Sequence, residues 1–325
     1  EEGAMKRDSA LYRVEVRRGK SHELEATHMV TVIASDGNGE AGPRRADLGA
    51  HDWVTCFRSG CKPFQALPLV ERGHADKFGF DLPELAVMCA SHNGAREHVD
   101  VVRRILDRIG LREKDLLCGF HLPYDEASTD QVRCGGGDFS PIYNNCSGKH
   151  AGMLALAVAE GWPIEDYVDF DHPVQKACVS AVAEVCGLNA ADLPLVVDGC
   201  SCANPTMALS TMARSYSLLA RARESGSSAR EKALARLARA MVSHPLLVAG
   251  EGRLCTDLMR AGDGALIGPT LRSLNPHFLG GSSRRYPVRA TRLRVASARA
   301  SFRRSLATIL PSASMRKERG MPNTL

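Results

Sequence analysis

Apolar and charged residues alternate in Leu11-Tyr12-Arg13-Val14-Glu15-Val16, which predicts a strand near the start of the chain. His28-Met29-Val30-Thr31-Val32-Ile33-Ala34-Ser35 predicts a second, ended by the turn residues Asp36-Gly37-Asn38-Gly39. Residues 40–57 are polar without a period and read as an irregular connection. Phe64 to Val70 reads as the apolar start of a helix. The apolar run Leu82 to Ala90 passes into Ser91-His92-Asn93-Gly94, small and polar residues suited to a pocket-lining turn. Helical spacing covers Glu97 to Ile109, with Val101, Ile105 and Leu106 on one face and Gly110 as the stop. Further helices are expected over Ala151–Glu160, 174–185, 206–223 and 229–242, and a short buried strand over Leu195-Val196-Val197. No internal repeat interrupts this mixture of strands and helices.

Composition adds bounds. A chain of 325 residues with 44% hydrophobic content can bury one large domain or two smaller ones. No apolar stretch reaches the length of about 18 residues that a membrane span needs, so no membrane partner is expected. Eleven cysteines are an odd number without small-scaffold spacing, and no apolar leader stands at the start. Reduced thiols in a cytoplasm are therefore expected. The net charge of +5 is unevenly placed. Residues 262–325 hold 12 Lys and Arg against 2 Asp and Glu, leaving 30 against 35 for residues 1–261. The body is mildly acidic and the tail basic, so the positive total is no sign of a nucleic-acid face. Rich in Arg, Ser and Pro and poor in acid, the tail has the composition of a disordered segment or an out-of-frame translation. It divides from a body expected to be one catalytic region over 1–261.

Three stretches carry candidate chemistry. In Arg58-Ser59-Gly60-Cys61-Lys62, a serine and a lysine three residues apart share one helical face, and an amine in a desolvated pocket can take a hydroxyl proton. The same pattern is also that of a helix-capping serine with a solvated lysine behind it. Ser91 reads equally as a second hydroxyl or as the cap of the helix that follows. Asn144-Asn145-Cys146-Ser147-Gly148-Lys149-His150 gathers two amides, a thiol, a hydroxyl, an amine and an imidazole at a helix start. Asp198-Gly199-Cys200-Ser201-Cys202 follows a predicted strand end, a common place for ligand groups. By spacing alone, Cys-x-x-Lys and Asp-x-Cys fit buried structural cysteines as well as a metal site.

Taken together and in order, these blocks resemble the bacterial asparaginase II family, the serine-dependent type. The matching residues are Arg58 to Pro68, Cys89-Ala90-Ser91-His92-x-Gly94-x-x-x-His98, Asn144 to Met153, Asp198-Gly199-Cys200, and the segment from His244-Pro245 to Cys255-Thr256-Asp257. The resemblance implies an α/β (α+β) fold like that of serine β-lactamases and glutaminases, an antiparallel sheet flanked by helices plus a helical lobe. It implies hydrolysis of L-asparagine to L-aspartate and ammonia, with Ser59 as nucleophile, Lys62 as its base or proton relay and Ser91 as a second serine. Arg58, His92, Asn93 and Asp198 would bind substrate. A zinc ion on Cys146, Lys149, Asp198 and Cys200 is implied as well, with His150 and Cys202 as alternative ligands. The partner is then a small-molecule substrate, not a nucleic acid, and a homodimer is one assembly open to such a chain.

The chain departs from the family after Thr256-Asp257. No Lys-Thr-Gly follows, and Lys317 is the only lysine beyond residue 261. In this fold class that strand borders the active site, so its loss is expected to impair catalysis. Two other readings stand beside asparaginase. One is a glutaminase or another Ser-x-x-Lys acyl hydrolase, the other a non-catalytic remnant that binds zinc or an amide.

Overall fold

The structure, a computed structural model, describes residues 12–35, 44–48, 53–135, 140–261 and 316–317. Small antiparallel sheets and helices make up the fold, which is of the mixed α/β class. The expected turn at Asp36–Gly39 lies outside the described residues, as does the tail except for Arg316–Lys317. Two compact units are present, one over residues 1–55, 208–217 and 292–325, the other over 56–207 and 218–291.

In the first unit, β1 (Tyr12–Arg18) pairs antiparallel with β2 (Glu23–Val30), Tyr12 opposite Val30. β3 (Val32–Ser35) pairs with β4 (Arg44–Leu48). The single strand expected over His28–Ser35 is thus two, broken at Thr31, and the first begins at Glu23. The connection read as irregular over 40–57 contains β4 and the short β5 (Val54–Cys56). Neither strand alternates cleanly in sequence, and backbone pairing holds them where the side-chain pattern gives no signal.

In the second unit α1 (Lys62–Gln65) and α2 (Leu67–Glu71) follow each other after the turn at Arg58–Cys61, and the short α3 (His74–Lys77) comes next. α4 (Leu82–Met88) starts on a capping box, in which the Asp81 carboxylate accepts the Glu84 N–H and Glu84 accepts the Asp81 N–H. Leu85, Ala86, Val87 and Met88 are buried, and α4 packs on α5 (Arg96–Arg108), which buries His98, Val99, Val102, Ile105 and Leu106. The buried stripe runs through Val102 rather than the expected Val101, the i, i+3, i+4 register set by His98 and Ile105. α6 (Glu126–Cys134) is capped by Asp125, whose carboxylate accepts the Ser128 N–H. α7 (Ser147–Glu160) and α8 (Pro173–Cys186) appear where expected, α7 beginning four residues earlier, inside the Asn-Asn-Cys-Ser-Gly-Lys-His block.

Leu195–Val197 (β6) was expected to be buried and to lead into a helix, but Val196 and Val197 are 39% and 69% exposed. β6 instead turns at Asp198–Cys202 into β7 (Ala203–Ala208), its antiparallel partner, with Val197 opposite Ala203. Pro205 in β7 lacks the ladder N–H and masks the strand in sequence. α9 (Leu209–Arg221), α10 (Ala229–Ser243), α11 (Pro245–Val248) and α12 (Leu254–Ala261) follow, and β8 (Arg316–Lys317) pairs with β1. Among the described residues no helix is long and apolar enough to cross a membrane.

Candidate active site

Ser59 sits in the 3-10 turn Arg58–Cys61 rather than at the cap of an α-helix. Arg58 has φ +53°, a left-handed conformation that a side chain with Cβ adopts at a cost. The Asn204 Oδ1 accepts the Arg58 N–H at 2.9 Å, and the Cys61 thiol donates to the Arg58 carbonyl at 2.8 Å. Those two bonds fix the strained turn that presents Ser59.

The Ser59 hydroxyl donates to Ser91 Oγ at 3.3 Å. Lys62 is 1% exposed, and its amine donates to the carbonyls of Ala90, at 2.5 Å, and Asn145, at 3.1 Å. Ser59 and Lys62 are not hydrogen-bonded to each other: a buried ammonium needs strong acceptors, and two carbonyls meet that need. Ser91 does not cap α5, whose capping position is Ala95. It stands past the end of α4, its N–H donating to the Val248 carbonyl at 3.0 Å. The Asn145 side-chain amide donates to Ser91 Oγ at 3.1 Å. Ser91 Oγ thereby accepts twice and keeps its own proton for a third group.

Asn145 is the residue that sequence reasoning singled out only as part of a motif. His121 orients it. The His121 Nδ1–H donates to the Leu122 carbonyl at 2.7 Å, which leaves Nε2 to accept the Asn145 N–H at 3.0 Å. His92 and Asn93 hold the turn around Ser91. The Gly94 N–H donates to His92 Nδ1 at 3.2 Å, so Nε2 carries the hydrogen and donates to Ser147 Oγ at 3.0 Å. Burial, together with the neighbouring His98 and Lys62, holds the His92 pKa well below the ordinary 6.5. Asn93 Oδ1 accepts the Ala95 N–H, and its carbonyl accepts the N–H groups of Tyr124 and Asp125.

A second cluster lies around Cys200. The Lys149 amine donates to Cys200 Sγ at 2.8 Å, and Asp198 Oδ2 is 3.8 Å from the same sulfur. Cys146, Cys200, Cys202, Lys149 and His150 are all buried. Hydrogen bonds from Cys146 and Cys202, then the Lys149 charge, pull the Cys200 thiol far below its usual range. Bonding to Cys200 and burial push Cys146 well up, and burial pushes Cys202 well up. Burial works against the Lys149 charge, but the surrounding sulfurs outweigh it and its pKa lies well above 10.5. Burial lowers His150 to about 4. One thiolate, two thiols and a neutral imidazole form a soft donor set of the kind that suits zinc, with the Lys149 ammonium beside them. On the outer side, Arg58 Nη1 is 3.6 Å from Asp198 Oδ1, which also accepts the Gly199 N–H. A separate cleft between Leu122 and Arg133 contains none of these side chains.

The profile of the L-asparaginase II family matches residues 14–270. The chain belongs to that family. No curated protein matches it. In this L-asparaginase II chain the expected residues Arg58, Ser59, Lys62, Ser91 and Asp198 come from three separate segments, joined by Asn145 and Asn204, which the sequence reading left without roles. The L-asparaginase II family is one of hydrolases acting on amides.

Proposed function

We propose that this chain hydrolyses L-asparagine to L-aspartate and ammonia through an acyl-enzyme on Ser59. The family membership supports the substrate class, and the Ser59–Ser91–Asn145 chain of hydrogen bonds is the observation that carries the mechanism. Ser59 Oγ attacks the side-chain amide carbon of asparagine and gives its proton to Ser91 Oγ. Ser91 passes its own proton to the amide nitrogen, which leaves as ammonia. Water then attacks the ester carbon, with the proton returning to Ser59 by the same route, and aspartate leaves. Lys62 anchors the Ala90 and Asn145 carbonyls, and so holds both partners of this relay while its charge favours the ionised Ser59. Arg58 binds the substrate carboxylate. Its Nε is buried without a partner and Asp198 engages Nη1 only at 3.6 Å, so the fork retains donors. Asp198 serves the amino end of the substrate, while His92 and Asn93 shape the turn that carries Ser91. Cys146, Lys149, Asp198 and Cys200 would hold the zinc ion that the family resemblance implies. Bound by them, it would supply a fixed positive charge to this part of the chain.

Ammonia release from asparagine and glutamine, with ring opening of a chromogenic β-lactam followed by its colour change, is the test. Asparagine is expected to be the best substrate, Ser59→Ala to lower kcat by about 10⁴-fold or more, and Asn145→Ala by about 10²-fold. Turnover that survives Ser59→Ala would overturn the mechanism. Faster release from glutamine would reassign the substrate.

A further inference from the structure

The segment from His244 to Asp257 carries part of the family resemblance, and none of its side chains has a place in the relay of Ser59, Ser91 and Asn145. It reaches that relay from two directions. On one side its backbone takes hold of Ser91, whose N–H donates to the Val248 carbonyl at 3.0 Å. The fully buried Thr256 fixes this stretch, its hydroxyl donating to the Gly250 carbonyl at 2.7 Å. On the other side the Arg253 guanidinium lies over the Tyr124 ring, 5.7 Å from its centroid. Tyr124 in turn stacks on His121, with ring centres 4.8 Å apart and planes 25° from parallel. His121 Nε2 accepts the Asn145 N–H, and the Asn145 side-chain amide donates to Ser91 Oγ. One segment thereby grips both partners of the Ser91–Asn145 bond.

We propose that Arg253 is a positioning residue, which holds Asn145 in place against Ser91 by acting through Tyr124 and His121. This rests on the reading of Ser91 and Asn145 as the proton relay of a hydrolase. A cation over an aromatic face and two stacked rings both attract, and the half-buried setting of Arg253 strengthens the first contact. The His121 Nδ1–H donates to the carbonyl of Leu122, its neighbour in the chain, so that bond orients the ring only within its own loop. Tyr124 belongs to the same loop. Arg253 comes from a separate segment and ties the ring stack to it. The backbone of Tyr124 is anchored as well, its N–H donating to the Asn93 carbonyl at 2.7 Å, two residues beyond Ser91. Asn145 is engaged at its N–H by His121, at its carbonyl by Lys62 and at its amide nitrogen by Ser91. A shift of the imidazole therefore passes to the hydroxyl of Ser91, and proton relays tolerate little misplacement.

Two measurements on the full chain test this. The first is amide hydrogen exchange at Asn145, which needs no substrate. Arg253→Gln and Tyr124→Leu are each expected to speed that exchange about fivefold or more. Tyr124→Phe keeps both ring contacts and is expected to leave it within about twofold. Unchanged exchange in Arg253→Gln overturns the proposal, and Tyr124→Leu carries the same test if Arg253→Gln does not fold. The second measurement is kcat and KM for ammonia release from asparagine. Arg253→Gln is expected to lower kcat about fivefold and to leave KM within about twofold. In an Asn145→Ala background the same substitution is expected to change kcat by less than about twofold, because the residue through which it acts is gone. An equal loss in both backgrounds overturns the proposal, since a merely structural role multiplies through. A parent chain without Ser59-dependent ammonia release overturns the hydrolase reading instead, and the exchange rates then still decide whether Arg253 holds Asn145.

Discussion

Two histidines that never touch the Ser59 hydroxyl contribute, as the buried His150 does, to how the protein around it responds to acid. His92 and His98 stack with ring centres 4.8 Å apart, and burial lowers the pKa of both. In the folded protein both stay neutral to lower pH than in the unfolded chain, where they titrate near 6.5. Below that value the unfolded state binds more protons, so stability falls as pH falls. Above it these two residues contribute no slope. The urea midpoint is therefore expected to be flat from about pH 7 to 8 and to decline steadily below about pH 6.5. Replacing His98 by Gln is expected to shallow that decline, and an unchanged slope would refute this account. The same scale shows where sequence reasoning runs out. Ser59, Lys62 and Ser91 were legible as chemistry, but their pairing was not. The Ser-x-x-Lys spacing predicts an amine beside a hydroxyl, while the fold brings two carbonyls from distant segments to the amine and leaves Ser91 for the hydroxyl. Asn145 escaped notice as a site residue because an amide acquires a role only from the partners that the fold supplies.

At the level of elements, α4 and α7 meet so closely that one missing side chain decides the geometry of the site. A Cβ added to Gly148 would stand 2.2 Å from the Val87 carbonyl oxygen and 2.7 Å from its carbon. Backbone cannot step aside as a side chain can, so the two helices must part. Ala90 and Ser91 follow α4, and Asn145 precedes α7, so the Ser91–Asn145 bond opens with them. Gly148→Ala is expected to cost about 3 kcal/mol in urea denaturation, at the upper end of overpacking effects, and to lower kcat. Gly152→Ala meets only the flexible Met88 side chain at 3.1 Å and is expected to cost about 1 kcal/mol. Equal midpoints for the two variants would show that the helix contact is not so constrained. Helices of this kind were readable because their signals are local: the Asp81 and Glu84 box, and the apolar stripe of α5 ending at Gly110. The β6–β7 hairpin was not, since Pro205 argues against a strand and only pairing with Leu195 makes it one.

On the scale of the whole chain, charge and chemistry are placed apart. Every side chain assigned a role above falls between Arg58 and Thr256, while the excess of basic residues falls after residue 261. Residues 1–261 carry 30 Lys and Arg against 35 Asp and Glu, so a chain ending at Ala261 has an acidic isoelectric point in place of the present value near 8.7. Such a chain loses β8, yet β1 keeps its longer ladder with β2, from Tyr12 opposite Val30 to Arg18 opposite Glu23. The relay of Ser59, Ser91 and Asn145, the Lys62 anchor and the sulfur cluster all remain. Ser59-dependent ammonia release is therefore expected to persist within about threefold, a change of less than about 1 kcal/mol in the barrier. The family resemblance frames the alternative. If residues beyond 261 supply the charge that a Lys-Thr-Gly strand brings elsewhere in the family, truncation abolishes turnover while circular dichroism stays unchanged. That outcome would move part of the active site into the basic tail, and it would assign the work to one of its twelve cationic side chains.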